Sequence, residues 1–335
     1  MKKLGVGIFL FIAVLGVFIY FKNFNSPNKI TSPIAKEKPL DKYTFSNMKQ
    51  SSFLSSPIAL AEPLTQNENY VSQMFYYKSQ NKKVSGLINV PKAEGIYPVI
   101  VMIRGFVPKE IYSTGVGTQR AGEFFAQNDF ITIAPDFLGY GKSDDASKNS
   151  IEDRFQSYAA VLSLLSSLDN LNSGLIASYS GKIKADVSKV GIWAHSNGGQ
   201  IALSILEITG KNYPTVLWAP VSKPFPYSVL YFTDEFDDHG KAMRKAIAKF
   251  EQDYNIELYS TSNFYSWINA SMQLHQGTTD DAVPQKWSDN LFADLKKLEK
   301  DIMYFIYPGA DHNLLPSGWG TAVQRSLDFY KEKLL

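Results

Sequence analysis

The chain contains no cysteine. Disulfides, thiolate nucleophiles and cysteine-held zinc or iron–sulfur sites are therefore excluded, although the compartment is not decided by this. Histidine is scarce too: only His195, His239, His275 and His312 occur, so any imidazole chemistry has four candidates. Neither sign of charge dominates, with 34 Lys and Arg against 32 Asp and Glu and a formal net charge of +2 over 335 residues. That balance offers no clustered basic surface for nucleic acid. Acidic residues lack the calcium-loop spacing, and the glycine-rich turns GFVP and FLGYG do not follow a phosphate-binding pattern. No metal and no cofactor is expected.

What is present reads as a globular protein: 44% hydrophobic, 20% charged and 14% aromatic residues, enough to bury a substantial core. The amino terminus is different in character. After Lys2 and Lys3 an uncharged run extends from Leu4 to Phe21. A bilayer-crossing helix needs roughly 17–25 apolar residues. The run ends in bulky residues without a small-x-small cleavage site, so an uncleaved single-pass anchor in the lipid bilayer is expected, with secretion after signal cleavage as the alternative. The packed positive charges before the run place the amino terminus inside and the remainder outside the cytoplasm. Residues 22–40, rich in Asn, Ser, Pro and Lys, read as a linker, and residues 41–335 as the folded domain.

Within that domain, VSQMFYYKSQNKKVSGLINVP forms two alternating runs around residues 79–82, the pattern of a hairpin. Short apolar runs then follow at 98–103, 130–135, 189–194, 215–220, 271–276 and 302–307, separated by helix-length amphipathic segments. This order predicts an α/β fold, mostly a parallel sheet with helices on both faces and an antiparallel hairpin at one edge. Ligands in such folds sit outside the carboxyl ends of the strands. Residues 221–265 are too long for a simple connection and are expected to cap the site.

The residues just past the apolar runs carry the chemistry. KVGIWA leads into His195-Ser196-Asn197-Gly198-Gly199 and then a helical pattern. A strand–Ser–helix junction projects the hydroxyl on a sharp turn, with small residues two before and two after; here these are Ala194 and Gly198. Alone, this is a weak signal. Downstream, GTTDDAVP (277–284) and PGADHN (308–313) each follow another apolar run, giving Ser196, Asp280 and His312 in order. A serine hydroxyl needs a base to take its proton, and the base needs an acid to hold its tautomer. His312 is the one histidine downstream of the acid. Asp281 stands as a substitute for Asp280. Oxyanion donors are expected from the backbone N–H of Asn197 and of Phe106, the latter in the turn Arg104-Gly105-Phe106. Arg104 is left between that turn and a structural pairing with a carboxylate.

With these residues in place, the chain resembles the catalytic domain of the prolyl oligopeptidase family of serine peptidases, within the α/β-hydrolases. The stretches that carry the resemblance are VSGLINVPKAEGIYPVIVMIRG, APDFLGYGKSDD, GIWAHSNGG, HQGTTDDAVPQKWSDNLFADLKK and YPGADHN. It implies Ser196 as nucleophile, Asp280 as orienter and His312 as base. Two departures stand out: Arg104 where relatives carry His, and Phe106 for a second Gly. About thirty residues separate linker from hairpin, too few for the β-propeller that some members carry, so a size filter on peptides is absent. The expected activity is a membrane-anchored serine hydrolase on a peptide or ester, with a carboxylesterase of small acyl or glycan esters as alternative. A non-catalytic anchored binding protein is the reading from a different class. Tyr140, Phe225, Tyr227, Tyr231 and Trp267 are candidates for an apolar substrate pocket, and the acidic run 234–238 reads as a solvated face.

Overall fold

The structure is a computed structural model and describes residues 38–335. The expected anchor at Leu4–Phe21, and nearly all of the linker that precedes the domain, lie outside the described residues. Among the described residues no helix is long and apolar enough to cross a membrane. The compact unit begins at Pro39, and Leu40 and Tyr43 are already buried in it.

Nine strands make one sheet. They are β1 (Ala59–Gln66), β2 (Tyr70–Ser79), β3 (Lys82–Pro91), β4 (Gly95–Ile103), β5 (Ile131–Pro135), β6 (Ile183–His195), β7 (Thr215–Trp218), β8 (Met272–Gly277) and β9 (Ile302–Tyr307). Their spatial order is β1-β2-β3-β5-β4-β6-β7-β8-β9. The first three strands, and β3 against β5, are antiparallel; all other neighbours are parallel. The β2–β3 hairpin closes on Gln80 and Asn81, both at positive φ, as a two-residue turn between right-twisted strands requires. Its register runs unbroken from Tyr70↔Pro91 to Ser79↔Lys82.

The edge strand β1 is the element that the alternation pattern missed. Pro63 lies inside it, and the register shifts on both sides of that residue. A proline lacks the ladder donor, so such a segment reads poorly as strand and is tolerated at an edge.

Both faces of the sheet are covered. Along β6 the two-residue period divides the side chains: Val190, Ile192 and Ala194 enter one core and Trp193 the other. The first core is filled from helices Ser150–Ser167 and Asn197–Thr209, with Phe155, Tyr158 and Leu206 fully or almost fully buried. The second is filled from helices Gln119–Ala126 and Trp319–Leu334, through Phe125 and Tyr330. Asn149 caps the helix Ser150–Ser167 by accepting from the N–H groups of Ile151 and Glu152. Between β7 and β8, over the span expected as a cap, the chain forms short turns and the helix Lys241–Glu251.

One buried group stands apart. Glu207, near the end of helix Asn197–Thr209, is 0% exposed, and neither carboxyl oxygen has a hydrogen-bond partner. Burial pushes this carboxyl well above its ordinary 4.5, so the folded state holds its proton more tightly than the unfolded chain. The resulting stability is complete below the unfolded value and drains away as pH rises toward the folded one. Glu207→Gln is expected to remove this drain. Denaturant melts from about pH 5 to about pH 9 should show the difference in unfolding free energy moving steadily toward the variant; a constant difference would mean that Glu207 does not hold a proton in the fold.

Candidate active site

The end of β6 and the start of helix Asn197–Thr209 meet at Ser196, whose φ of 57° and ψ of −125° lie in a region that non-glycine residues rarely adopt. Hydrogen bonds hold it there. Ser196 N–H donates to Trp218 O at 2.9 Å, and Val221 N–H donates to Ser196 O at 2.9 Å. The turn is tight enough to exclude side chains around it. A Cβ on Gly198 would come within 2.2 Å of Ile103 O, and a Cβ on Gly105 within 2.8 Å of Ser196 Cβ. The turn after β4 is thereby pressed against the serine. Asn197, as the first residue of its helix, presents an N–H with no intrahelical acceptor.

Asp280 and His312 arrive from the loops after β8 and β9. The Asp280 side chain is 0% exposed and that of His312 is 17% exposed. His312 Nδ1 lies 2.9 Å from Asp280 Oδ2 and 3.1 Å from Oδ1. Three further donors fix the carboxylate: Ala282 N–H at 3.0 Å and Val283 N–H at 2.7 Å on Oδ1, and Gln276 Nε2 at 2.8 Å on Oδ2. Burial alone would raise this carboxyl. The bonds from His312, Val283 and Gln276 outweigh it and hold Asp280 below its ordinary 3.8. Asp281, the substitute considered for it, is exposed. No hydrogen bond joins His312 to Ser196 Oγ among the described residues, a contact that commonly tightens only when substrate is bound.

Two participants escaped the sequence reading. Gln276, a fully buried polar residue at the end of β8, is itself held by Ser288 Oγ at 2.7 Å. His195 donates from Nε2 to the backbone oxygen of His312 at 2.9 Å, and the two rings lie 4.6 Å apart. Burial, reinforced by the neighbouring His312, lowers His195 to about 4, so it stays neutral beside the other imidazole. Its position before the serine was the only signal in the sequence. The other histidines stand elsewhere: His275 is buried in β8 between Tyr307 and Gln273, and His239 lies in the segment between β7 and β8.

Among the described residues Arg104 does not pair with a carboxylate, contrary to one of the two roles left open for it. Its terminal nitrogens donate to Gly105 O at 2.8 Å and Asp136 O at 2.9 Å, and it lies over the rings of Tyr140 and Tyr112. The nearby Asp136 carboxylate is taken by the hydroxyls of Ser85, Tyr112 and Thr114.

A cavity of about 260 Å³ opens at this corner, lined by Gly105, Phe106, Asn197, Tyr140, Arg154 and Met243, among others. Tyr140 is the one pocket candidate that reaches it. Phe225 is 2% exposed and packs against Phe155 and Phe250 in the core. Tyr227 and Tyr231 are largely exposed, and Trp267 packs on Phe264 under Lys49. A second cavity, about 520 Å³, borders Trp193, His195, Trp218, Asn313 and Trp319. Among the described residues no group of three or more His, Asp or Glu side chains could hold a metal ion.

A serine in a strained turn, a buried carboxylate bonded to an imidazole and free N–H groups at a helix start can together activate a hydroxyl and receive a developing oxyanion. If the close approach of Gly105 sets the position of Ser196, a methyl there displaces the reacting atom. Gly105→Ala is expected to slow labelling of Ser196 by a serine-reactive phosphonate by about 10²-fold with the fold retained by circular dichroism. Unchanged labelling would show that the turn has room to spare.

Comparison with known proteins bears on the fold in which these residues sit. Residues 176–335 match the family model described as the prolyl oligopeptidase family, and residues 64–213 match the chlorophyllase model. No curated protein matches the chain in sequence. Among solved structures, an acetyl xylan esterase from Paenibacillus sp. R4 superposes with a TM-score of 0.58 at 14% identity, over 89% of this chain and 96% of that one. Acetyl xylan esterase 1 from Thermoanaerobacterium sp. JW/SL YS485 gives 0.56 at 16%, over 87% and 93%. A puromycin-hydrolyzing peptidase from Mycobacterium tuberculosis gives 0.56 at 18%, over 80% of this chain and only 40% of the peptidase. At such identities the likeness speaks to the fold, and the same fold serves esters and amides alike. The chain has the α/β-hydrolase fold, and its residues 176–335 are similar to the prolyl oligopeptidase family.

Proposed function

We propose that the protein is a serine hydrolase that works through an acyl-enzyme, with Ser196 as nucleophile, His312 as general base and Asp280 as the residue that orients it, and that it acts as a peptidase. The observation that supports this reading most is the Asp280–His312 bond, in a stretch that also carries Ser196 and matches the prolyl oligopeptidase model. Ser196 Oγ attacks the substrate carbonyl as His312 takes its proton. The oxyanion is received by the N–H groups of Asn197 and Phe106. His312 then passes the proton to the leaving amine or alcohol, and the acyl group remains on the serine. Water, deprotonated by the same imidazole, attacks the ester, and Ser196 recovers its proton as the acid departs.

The second reading is a carboxylesterase of small acyl or glycan esters. The cavity of about 260 Å³ favours it, since it matches a small acyl group. Comparing kcat/KM on short acyl esters with that on aminoacyl or dipeptidyl anilides of similar size separates the two. Anilide turnover near the ester rate is expected for a peptidase, and ester turnover alone makes the protein an esterase. Ser196→Ala is expected to abolish both, and Asp280→Asn to lower kcat by about 10⁴-fold through loss of the correct imidazole tautomer. Turnover that survives Ser196→Ala would overturn the mechanism.

For its location, the reading is an uncleaved anchor at Leu4–Phe21 with the domain outside the cytoplasm, supported by the uncharged run behind Lys2 and Lys3. The full chain is then expected to stay with membranes on alkaline carbonate extraction. Release into the soluble fraction would remove this part of the proposal.

A further inference from the structure

Arg154 lies in the first turns of helix Ser150–Ser167 and lines the cavity that also contains Gly105, Phe106 and Asn197. Its guanidinium forms no ion pair among the described residues. One terminal nitrogen donates to Gln200 Oε1 and, at 3.4 Å, to Ser228 Oγ, both neutral acceptors. Its Nε is buried without an acceptor among the described residues. Gln200 is in turn held by Lys223 O at 3.1 Å and Ser228 Oγ at 3.1 Å, so the cation is aimed by a fixed frame. Arg154 is half-buried, and a cation partly withdrawn from water gains from an anion brought up to it.

No other charge in the same wall forms an ion pair with it among the described residues, and the Asp153 carboxylate beside it opposes an incoming anion. Arg104 is occupied with backbone oxygens and covered by tyrosine rings. Asp153 lines the cavity but forms no ion pair with Arg154, and burial, opposed by Lys109 and Lys82, raises its carboxyl above the ordinary 3.8. The remaining walls include Ile201, Val229 and Met243. The arrangement is a slot of mixed lining, with Ser150, Ser157 and Asn197 beside the apolar side chains and a cation in its wall, open to the turn that carries Ser196.

We propose that Arg154 selects acyl donors that carry a second carboxylate, received by its guanidinium while the reacting carbonyl lies at Ser196. This rests on the reading of Ser196 as nucleophile and names the substrate class of that site. A dicarboxylic half-ester and a peptide bond that follows an acidic residue share this chemistry. The guanidinium fork suits a carboxylate better than a point charge does.

The test compares 4-nitrophenyl hemiglutarate, butyrate and 4-aminobutyrate esters on the full chain. The wild type is expected to favour hemiglutarate over butyrate in kcat/KM by about tenfold or more, with the cationic ester poorest. Arg154→Gln is expected to lower that ratio at least tenfold, Arg154→Lys to restore part of it, and Asp153→Asn to raise it. A merely structural Arg154 would lower both rates together and leave the ratio unchanged, which overturns the proposal, as does a wild-type preference for the neutral or cationic ester. Serine-dependent turnover of butyrate without a hemiglutarate preference sinks this inference alone and leaves the hydrolase reading standing. Binding supplies a readout independent of turnover. Glutarate is expected to bind the Ser196→Ala protein and to bind Ser196→Ala/Arg154→Gln at least tenfold more weakly; equal binding by the two refutes the role of Arg154.

Discussion

The close approach of two backbones beneath Ser196 is the constraint on which the site depends. The carbonyl of Ile103 at the end of β4 leaves no room for a side chain on Gly198, and Gly105 leaves none between its own backbone and the serine. Strand, turn and helix are therefore locked at a single separation, and the serine takes up a φ of 57° that costs of order 1–3 kcal/mol. The parallel pairing of β4 with β6 and β6 with β7 supplies the rigidity that holds this strain. The same crowding brings the turn after β4 beside the start of the helix, where N–H groups are free.

Electrostatics follow from that frame. Asp280 gives up its exposure to water for four donors and is the more firmly ionised for it. His195, one residue before the serine, is driven the other way and stays neutral, because a charge there would be buried and would face His312. The His195 ring is thus held neutral 4.6 Å from that of His312. The bond from His195 to the His312 backbone joins the end of β6 to the loop after β9 without using either carboxylate.

Selectivity is built separately. The elbow and its partners come from strand ends, whereas part of the cavity wall comes from helix Ser150–Ser167 and from the segment between β7 and β8, which contributes Val229 and Met243. Changing those walls leaves the strained turn untouched. Esterases and peptidases share such a sheet, so overall likeness to either says little about substrate.

Most of the sheet was legible in the sequence because apolar runs broken by amphipathic segments are local signals, read one element at a time. Each of the six runs became a strand, and the hairpin turned at the residues that its pattern marked. Strand β1 was hidden by Pro63. Ser196, Asp280 and His312 were legible as candidates because each lies at or shortly after a strand end, and the fold gathers strand ends. The aromatic pocket could not be read, since a phenylalanine in a core and one in a cavity have the same local sequence: Phe225 went to the core and Tyr140 to the cavity. Nothing in the local sequence singled out Arg154 on its helix or Gln276 at the end of its apolar run. Sequence by itself determined the order of elements and the chemical types at their ends, which depend on neighbours a few residues away. Tertiary structure alone decided which charge is left unpaired, which carboxyl is buried without a partner and which histidine braces another, because those are set by groups tens to hundreds of residues apart whose distances only the closed fold defines.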